Sequence, residues 1–201
     1  MLDGAIRPKL DPALNATARA IAATGISANG VTIIGLLIGF AAAGAVWAQV
    51  YWLGLVLLLV SRACDGLDGA VARITGKTDF GGYLDIVLDF AFYGVIPLGF
   101  VLADPSANAV AGAVLIFSFY VNGASFLAFA IMAEKNDLTT DQRGEKSFFF
   151  TTGLAEATET IVVFVLFCLL PDWFSVIAYV FAAIVFYTAL SRIIMTDRVL
   201  R

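Results

Sequence analysis

The chain has 201 residues, of which 61% are hydrophobic and only 14% are charged, and its formal net charge is −4. Soluble domains carry about 45–50% apolar and about 25% charged residues, so this composition excludes a water-soluble fold and indicates that lipid surrounds most of the chain. The sequence contains no histidine, which excludes His-based triads and His metal sites. Cys64 and Cys168 lie too far apart to predict a zinc knuckle or a disulfide framework.

The N-terminal segment is predicted to form a helix that lies on the membrane surface. Asp11 followed by Pro12 is typical of a helix start, and Leu14, Ala18 and Ile21 then recur at helical spacing. A polar tail without regular structure is the alternative. We expect one membrane domain over residues 1–201, with an interfacial helix in 1–28 and a six-helix bundle in 29–201.

Six apolar stretches of spanning length predict an all-α integral membrane protein. The stretches are Val31–Ala48, a second from Tyr51 to about Ala70, Gly82–Leu102, Ala107–Met132, Phe148–Leu170 and Phe174–Met195. Trp47, Trp52 and Trp173 stand at the short breaks between them, where an aromatic belt is expected.

The basic residues all fall on one side of the predicted bundle. They are Arg7, Lys9, Arg19, Arg62, Arg73, Lys77, Lys135, Arg143, Lys146, Arg192, Arg198 and Arg201. Because Lys and Arg accumulate in cytoplasmic loops, this distribution predicts that both termini lie in the cytoplasm.

Four aspartates are predicted to converge near the cytoplasmic ends of the second and third spans. Asp65 and Asp68 are three residues apart and Asp85 and Asp89 are four apart, so each pair shares one helix face. Carboxylates gathered in a medium of low dielectric repel one another, and one or two Mg²⁺ or Mn²⁺ ions would compensate their charge. The alternative is a surface network of ion pairs with Arg62, Arg73 and Lys77, to which we assign Asp79.

These aspartates belong to a longer pattern, which reads Asp65-x2-Asp68-Gly69-x2-Ala72-Arg73-x7-Gly81-x3-Asp85-x3-Asp89. The pattern resembles the signature of the CDP-alcohol phosphotransferases (class I CDP-alcohol phosphatidyltransferases), membrane enzymes that join phospholipid head groups to lipid tails. All eight positions of the signature are matched. Asn29 and Thr32 resemble the family's Asn-x-x-Thr element, although Ala28 stands where many members have proline.

The resemblance implies a two-metal centre held by Asp65, Asp68 and Asp85, with Asp89 contributing to the second metal and serving as the general base. It implies a CDP-binding region formed by Asn29, Thr32, Gly69, Ala72, Arg73 and Gly81. It further implies CDP-diacylglycerol or another CDP-alcohol as donor, a small polar acceptor, CMP release and no nucleic-acid partner. A homodimer in a bacterial inner membrane, with its active site facing the cytoplasm, is expected on the same ground.

The identity of the acceptor stays open, because the basic and the acidic candidate residues favour different acceptors. Lys135, Lys146 and Arg192 stand at predicted cytoplasmic helix ends and favour a phosphorylated polyol, although ordinary topogenic charges explain them equally well. Glu156 and Glu159 favour structural ion pairs or an amine-bearing head group, as in phosphatidylserine-type or CDP-choline/ethanolamine-type transferases. A transporter or proton pathway also uses intramembrane acids, but there the acids follow a route instead of forming one cluster.

Overall fold

The computed structural model describes residues 14–136, 155 and 157–200, and helices account for nearly all of them. The helices are α1 (14–23), α2 (Ala28–Trp47), α3 (Tyr51–Thr75), α4 (Asp79–Ala103), α5 (Pro105–Lys135), α6 (Ala157–Leu169) and α7 (Phe174–Leu200), with a 3-10 turn at Pro171–Trp173 before α7. No strand occurs in this part of the chain. The prediction of an all-α protein is therefore confirmed.

Four segments are long and apolar enough to cross a membrane, namely α2, α4, α5 and the segment Pro171–Leu200. Helix α3 has 25 residues and spans about 37 Å, but Arg62, Asp65 and Asp68 interrupt its apolar surface. Helix α6 has 13 described residues, fewer than the about 20 that a span needs. Four of the six predicted spans are thus supported, and the count of six and the orientation of the termini stay predictions.

Side-chain caps determine where three helices begin. Ser27 Oγ accepts the Gly30 N–H at 3.2 Å ahead of α2, and Thr78 Oγ1 accepts the Gly81 N–H at 3.0 Å ahead of α4. Asp104 Oδ1 caps the start of α5. It accepts hydrogen bonds from Ser106 Oγ at 2.7 Å and from the Ala107 N–H at 3.1 Å. These bonds, the one from Ser106 foremost, lower the pKa of the Asp104 carboxyl below its ordinary value.

Helix α2 packs closely against α3 and α4 because small residues line the contact. A Cβ added to Gly39 would lie 2.7 Å from the Phe92 ring, and one added to Gly99 would lie 2.7 Å from the Ala43 carbonyl oxygen. Real Cβ atoms do not approach other atoms so closely, so both positions require glycine. This contact brings the polar ends of α3 and α4 to the same level.

The core on the other side of α4 is aromatic and joins α4 to α6 and α7. Phe92, Phe100, Phe164, Phe167 and Phe174 are all fully buried. The rings of Phe100 and Phe174 stack with centroids 5.0 Å apart. Offset and edge-to-face ring contacts of this kind add to the burial of area, so this core holds the two halves of the bundle together.

Helix α1 packs on the polar end of α3. Ala18 is fully buried in a small cluster with Ala70 and Val71, and Ile21 packs against that cluster. Leu14 is the neighbour that a Cβ on Gly66 would touch, at 3.5 Å. The predicted apolar face of the helix is therefore confirmed, its position at the membrane interface stays a prediction, and the proposed start at Asp11 and Pro12 lies outside the described residues.

Candidate active site

Three carboxylates from two helices meet at the polar end of the bundle. One oxygen each of Asp65, Asp68 and Asp85 lies within 4.8 Å of the others. The spacing of three residues on α3 turns the first two toward α4, and the cap at Thr78 starts α4 so that the third faces them. Asp68 is 6% exposed and the other two are half-buried.

These residues fit a divalent cation. Oδ2 of Asp68 is buried and accepts no hydrogen bond from the described residues. A buried carboxylate oxygen without a donor or cation costs free energy, so this atom points to a positively charged ligand. Because every ligand atom is a carboxylate oxygen, Mg²⁺ or Mn²⁺ suits the cluster better than zinc or copper.

The fourth aspartate, Asp89, stands beside this cluster and is bound by an arginine. Arg62 Nη1 lies 2.8 Å from Asp89 Oδ1 and 3.3 Å from Asp65 Oδ1. The Arg62 side chain is 10% exposed, and its guanidinium carbon lies 3.5 Å from the centroid of the Phe92 ring. The sequence analysis named Arg62 only in the alternative of a surface ion-pair network and gave it no place in the site, whereas its side chain lies between Asp65 and Asp89.

The sequence contained a sign that Arg62 pairs with an acid of the site. Arg62 lies in the apolar second span, three residues before Asp65, which is the spacing at which two helical side chains meet. A cation in a span normally pairs with an acid. What the sequence did not reveal is that the shorter of its two ion pairs is with Asp89, on a different helix.

The residues predicted to surround CDP lie next to the carboxylates. Thr32 lines a small cavity of about 10 Å³ together with Asp65, Asp68 and Asp89. A Cβ on Gly81 would lie 3.0 Å from Asn29 Oδ1 and 2.9 Å from the capping Thr78 oxygen, so a side chain there would displace Asn29.

The other side of this region is open. A Cβ on Gly69 would meet only Arg73 Nη1, at 3.9 Å, so packing does not require glycine at this position. Arg73 is exposed and Ala72 is half-buried. The space beside Gly69, with the exposed Arg73 guanidinium at its edge, leaves room for a ligand that approaches the α3 backbone.

A larger cavity of about 470 Å³ lies between α4, α5, α6 and α7. Its wall is mostly apolar and aromatic, with Phe90, Phe119 and Phe126 among the lining side chains. Within the described part of the chain its only charged lining residues are Asp89 and Arg192. Asp89 lines the small cavity as well, so it borders both cavities.

Arg192 is held in place by α5. Its Nη1 lies 2.9 Å from Asn122 Oδ1, 3.0 Å from the Asn122 carbonyl oxygen and 2.7 Å from Ser125 Oγ. Its guanidinium carbon is 5.6 Å from the centroid of the Phe126 ring. The cation is therefore fixed at the cavity wall by a set of contacts that the sequence analysis did not identify.

Of the other predicted acceptor residues, the two that the structure describes, Lys135 and Glu159, do not line this cavity. Lys135 is exposed in the last turn of α5, and Glu159 is half-buried in the first turn of α6, where Ala157 and Thr160 supply the lining. Lys146 and Glu156 lie outside the described residues. Of the candidates that the structure describes, only Arg192 lines the cavity.

The model of the CDP-alcohol phosphatidyltransferase family matches residues 25–195, which include the carboxylate cluster, Arg62 and Arg192. The chain belongs to this family. It is therefore a phosphotransferase enzyme of phospholipid biosynthesis, as the motif predicted. The chain is 44% identical over 193 residues to the inner membrane protein YnjF of Escherichia coli (strain K12), covering 96% of this chain and 94% of that protein.

Two further relatives are named archaetidylinositol phosphate synthase. The one from Pyrococcus horikoshii is 42% identical over 85 residues, which cover 42% of this chain and 45% of that protein. The one from Methanothermobacter thermautotrophicus is 29% identical over 175 residues, covering 84% of this chain and 82% of that protein.

The fold is also similar to solved structures of phosphatidylinositol phosphate synthase from Mycobacterium tuberculosis. The crystal structure with CDP-DAG bound matches with a TM-score of 0.72 at 21% identity, covering 91% of this chain and 92% of that chain. The complex with manganese and citrate matches with a TM-score of 0.68 at 20% identity, covering 91% and 88%. At this identity the likeness establishes a shared fold.

Proposed function

We propose that this enzyme transfers the phosphatidyl group of CDP-diacylglycerol to a hydroxyl of a phosphorylated polyol and releases CMP. The observation that carries the proposal is that Asp89 lines both cavities. The small cavity is also lined by Asp65 and Asp68 of the carboxylate cluster, and the charged lining residues of the large one, among those described, are Asp89 and Arg192. Inositol phosphate is the first acceptor to test, because two relatives are named archaetidylinositol phosphate synthase and the similar fold belongs to a phosphatidylinositol phosphate synthase.

The donor is assigned to the small cavity and its surroundings. Asp65, Asp68 and Asp85 would hold a divalent cation, and Asp89 would contribute to a second one. The cations supply positive charge that stabilises the pyrophosphate as negative charge develops on it. The CDP moiety is assigned to the residues beside the cluster, which are Asn29, Thr32, Gly69, Ala72, Arg73 and Gly81. The manganese and CDP-DAG complexes of the Mycobacterium tuberculosis enzyme support this assignment.

Asp89 is assigned the role of general base. Its carboxylate accepts the proton of the acceptor hydroxyl, whose oxygen bonds to the lipid-bearing phosphorus. The bond from that phosphorus to the bridging oxygen of the pyrophosphate breaks, and CMP leaves with the bridging oxygen. A sequence without histidine offers carboxylates as its available bases at neutral pH, and Asp89 lines both cavities.

The acceptor's phosphate is assigned to Arg192. A guanidinium suits a phosphate because its planar set of N–H donors matches two phosphate oxygens. Arg192 uses Nη1 for its contacts with α5, and we assign its other N–H groups to the phosphate. An amine-bearing acceptor is less well supported, because Glu159 lies off the cavity wall.

The cellular setting follows from the relatives and from the charges. The name of the Escherichia coli relative supports a bacterial inner membrane, and the positions of the basic residues support an active site that faces the cytoplasm. A homodimer, which the family resemblance implies, is part of the same proposal.

The test is an acceptor panel on the purified full chain in lipid nanodiscs. CDP-diacylglycerol and Mg²⁺ or Mn²⁺ are supplied with inositol phosphate, glycerol 3-phosphate, free inositol, serine or no acceptor. We expect CMP release and a lipid product of matching mass with a phosphorylated polyol, and little with its unphosphorylated counterpart. CMP release with serine in place of the phosphorylated polyols would overturn the acceptor class, and no CMP release with any acceptor would overturn the donor.

A further inference from the structure

Arg62 occupies an unusually constrained position for a cation inside an apolar helix bundle. The two carboxylates that it contacts come from different helices, since Asp65 belongs to α3 and Asp89 to α4. Its Nη2 lies 3.5 Å from the buried hydroxyl of Ser61, which itself donates to the Gly35 carbonyl oxygen on α2 at 2.7 Å. Contacts with α3 and α4 therefore determine where the guanidinium lies, and Ser61 links it indirectly to α2.

The two carboxylates that Arg62 contacts differ in their surroundings. Asp65 also belongs to the cluster of three acids, whereas Asp89 lies outside that cluster and makes the shorter ion pair, at 2.8 Å against 3.3 Å. Arg62 and Asp89 both line the small cavity, whereas of the two only Asp89 lines the large cavity. The guanidinium is thus outside the lining of the space assigned to the acceptor.

We propose that Arg62 is a positioning residue that holds the Asp89 carboxylate by its Oδ1 atom, so that its second oxygen is presented to the acceptor hydroxyl. This inference rests on the proposed function, because it assigns Arg62 to the base of that reaction. The guanidinium also lies against the face of the Phe92 ring, a contact that suits a planar cation. A lysine ammonium could approach both carboxylates, as the single atom Nη1 does, but could not reproduce the planar contact with Phe92.

The test compares Arg62→Met with Arg62→Lys, and it uses Lys77→Met, which removes an exposed cation after α3, as the matched control. Methionine fills much of the same volume without charge. We expect Arg62→Met to lower kcat about 100-fold with less than about a threefold change in KM for the CDP-lipid, because the base is misplaced while the donor site is kept. The kcat of Arg62→Lys should be about tenfold higher than that of Arg62→Met. Lys77→Met should leave kcat unchanged.

Metal binding, measured without substrates, tests whether Arg62 acts on Asp89 or on the cluster of three carboxylates. Mn²⁺ affinity, followed by electron paramagnetic resonance, is expected to stay within about threefold of the wild type in Arg62→Met and to fall more than about tenfold in Asp68→Asn. An equal loss in both variants would mean that Arg62 acts through Asp65, and the inference would fail. Melting temperatures of the variants establish that each retains the fold.

The outcomes also separate this inference from the proposed function. Absence of CMP release by the wild type would overturn the proposed function and the role of Arg62 with it. Wild-type turnover combined with a kcat of Arg62→Met within threefold of normal would overturn the role of Arg62 alone. A selective rise in KM for the CDP-lipid would do so too, because it would make Arg62 a donor-binding residue.

Discussion

The two cavities that share Asp89 as a lining residue are built in different ways. The small one takes its charged residues from a single segment, Arg62 to Asp89, in which two helices are joined by a short linker. The large one is assembled from four helices, and its cation, Arg192, lies more than a hundred residues from Asp89 in the chain. The chemistry of phosphoryl transfer is therefore encoded locally, whereas the space assigned to the acceptor depends on how distant helices pack.

This difference predicts that the motif can stay the same while the acceptor changes. A contiguous segment keeps its ligand spacing whatever the rest of the bundle does. The wall of the large cavity changes with any side chain on α5, α6 or α7 that faces it. Substitutions in the small cavity should accordingly abolish turnover, and substitutions in the large one should alter which acceptor is used.

The largest effect is expected for Asp68→Asn. This change removes a charge from the most buried carboxylate of the cluster, so we expect CMP release to fall at least about 1000-fold for every acceptor. The measurement is the initial rate of CMP formation at saturating Mn²⁺. Asp79→Asn removes an exposed carboxylate at the start of α4 and should retain normal activity. Comparable losses in the two variants would contradict a localised metal centre.

Asp89→Asn should reduce kcat about 100- to 10,000-fold, because the base is lost while the three clustered carboxylates remain. The variant should still bind the CDP-lipid, which equilibrium binding of a labelled donor measures. Near-normal turnover would remove Asp89 from the role of base. A loss of donor binding as large as the loss of turnover would instead make it primarily a metal ligand.

Arg192→Met should affect the acceptor and spare the donor. We expect KM for a phosphorylated acceptor to rise about 10- to 100-fold with little change in KM for the CDP-lipid, as is typical when an interaction common to ground and transition states is lost. Lys135→Met is the matched control, because that cation ends α5 away from the cavity wall. If both variants alter the acceptor KM equally, Arg192 has no special place in acceptor binding.

The smallest effect is expected for Gly81→Ala, which tests the small cavity at its edge. The new methyl group would lie 3.0 Å from Asn29 Oδ1 and shift that side chain, so KM for the CDP-lipid should rise about three- to tenfold. Gly82→Ala adds the same methyl group with no atom within 4 Å and should change neither KM nor stability by much. Steady-state kinetics with varied CDP-lipid distinguishes the two. A shift of equal size in both would point to a general effect on α4.

The carboxylates of the small cavity could be predicted from the sequence because they lie close together in the chain. The i, i+3 spacing of Asp65 and Asp68 implies one helix face, and the motif adds Asp85 from the neighbouring helix. The place of Arg62 in the site was missed. Its spacing to Asp65 is local, but its pairing with Asp89 depends on the contact between α3 and α4.

The amino-acid sequence alone determined that this is an all-α membrane protein with a carboxylate motif of one enzyme family, because apolar runs and helical spacings are properties of adjacent residues. Only the tertiary structure decided that Arg62 pairs with Asp89, that Arg192 is fixed by Asn122 and Ser125, and that Lys135 and Glu159 lie off the cavity wall. The physical reason is that small residues such as Gly39 and Gly99 determine how closely the helices approach. That approach determines which distant side chains share a cavity.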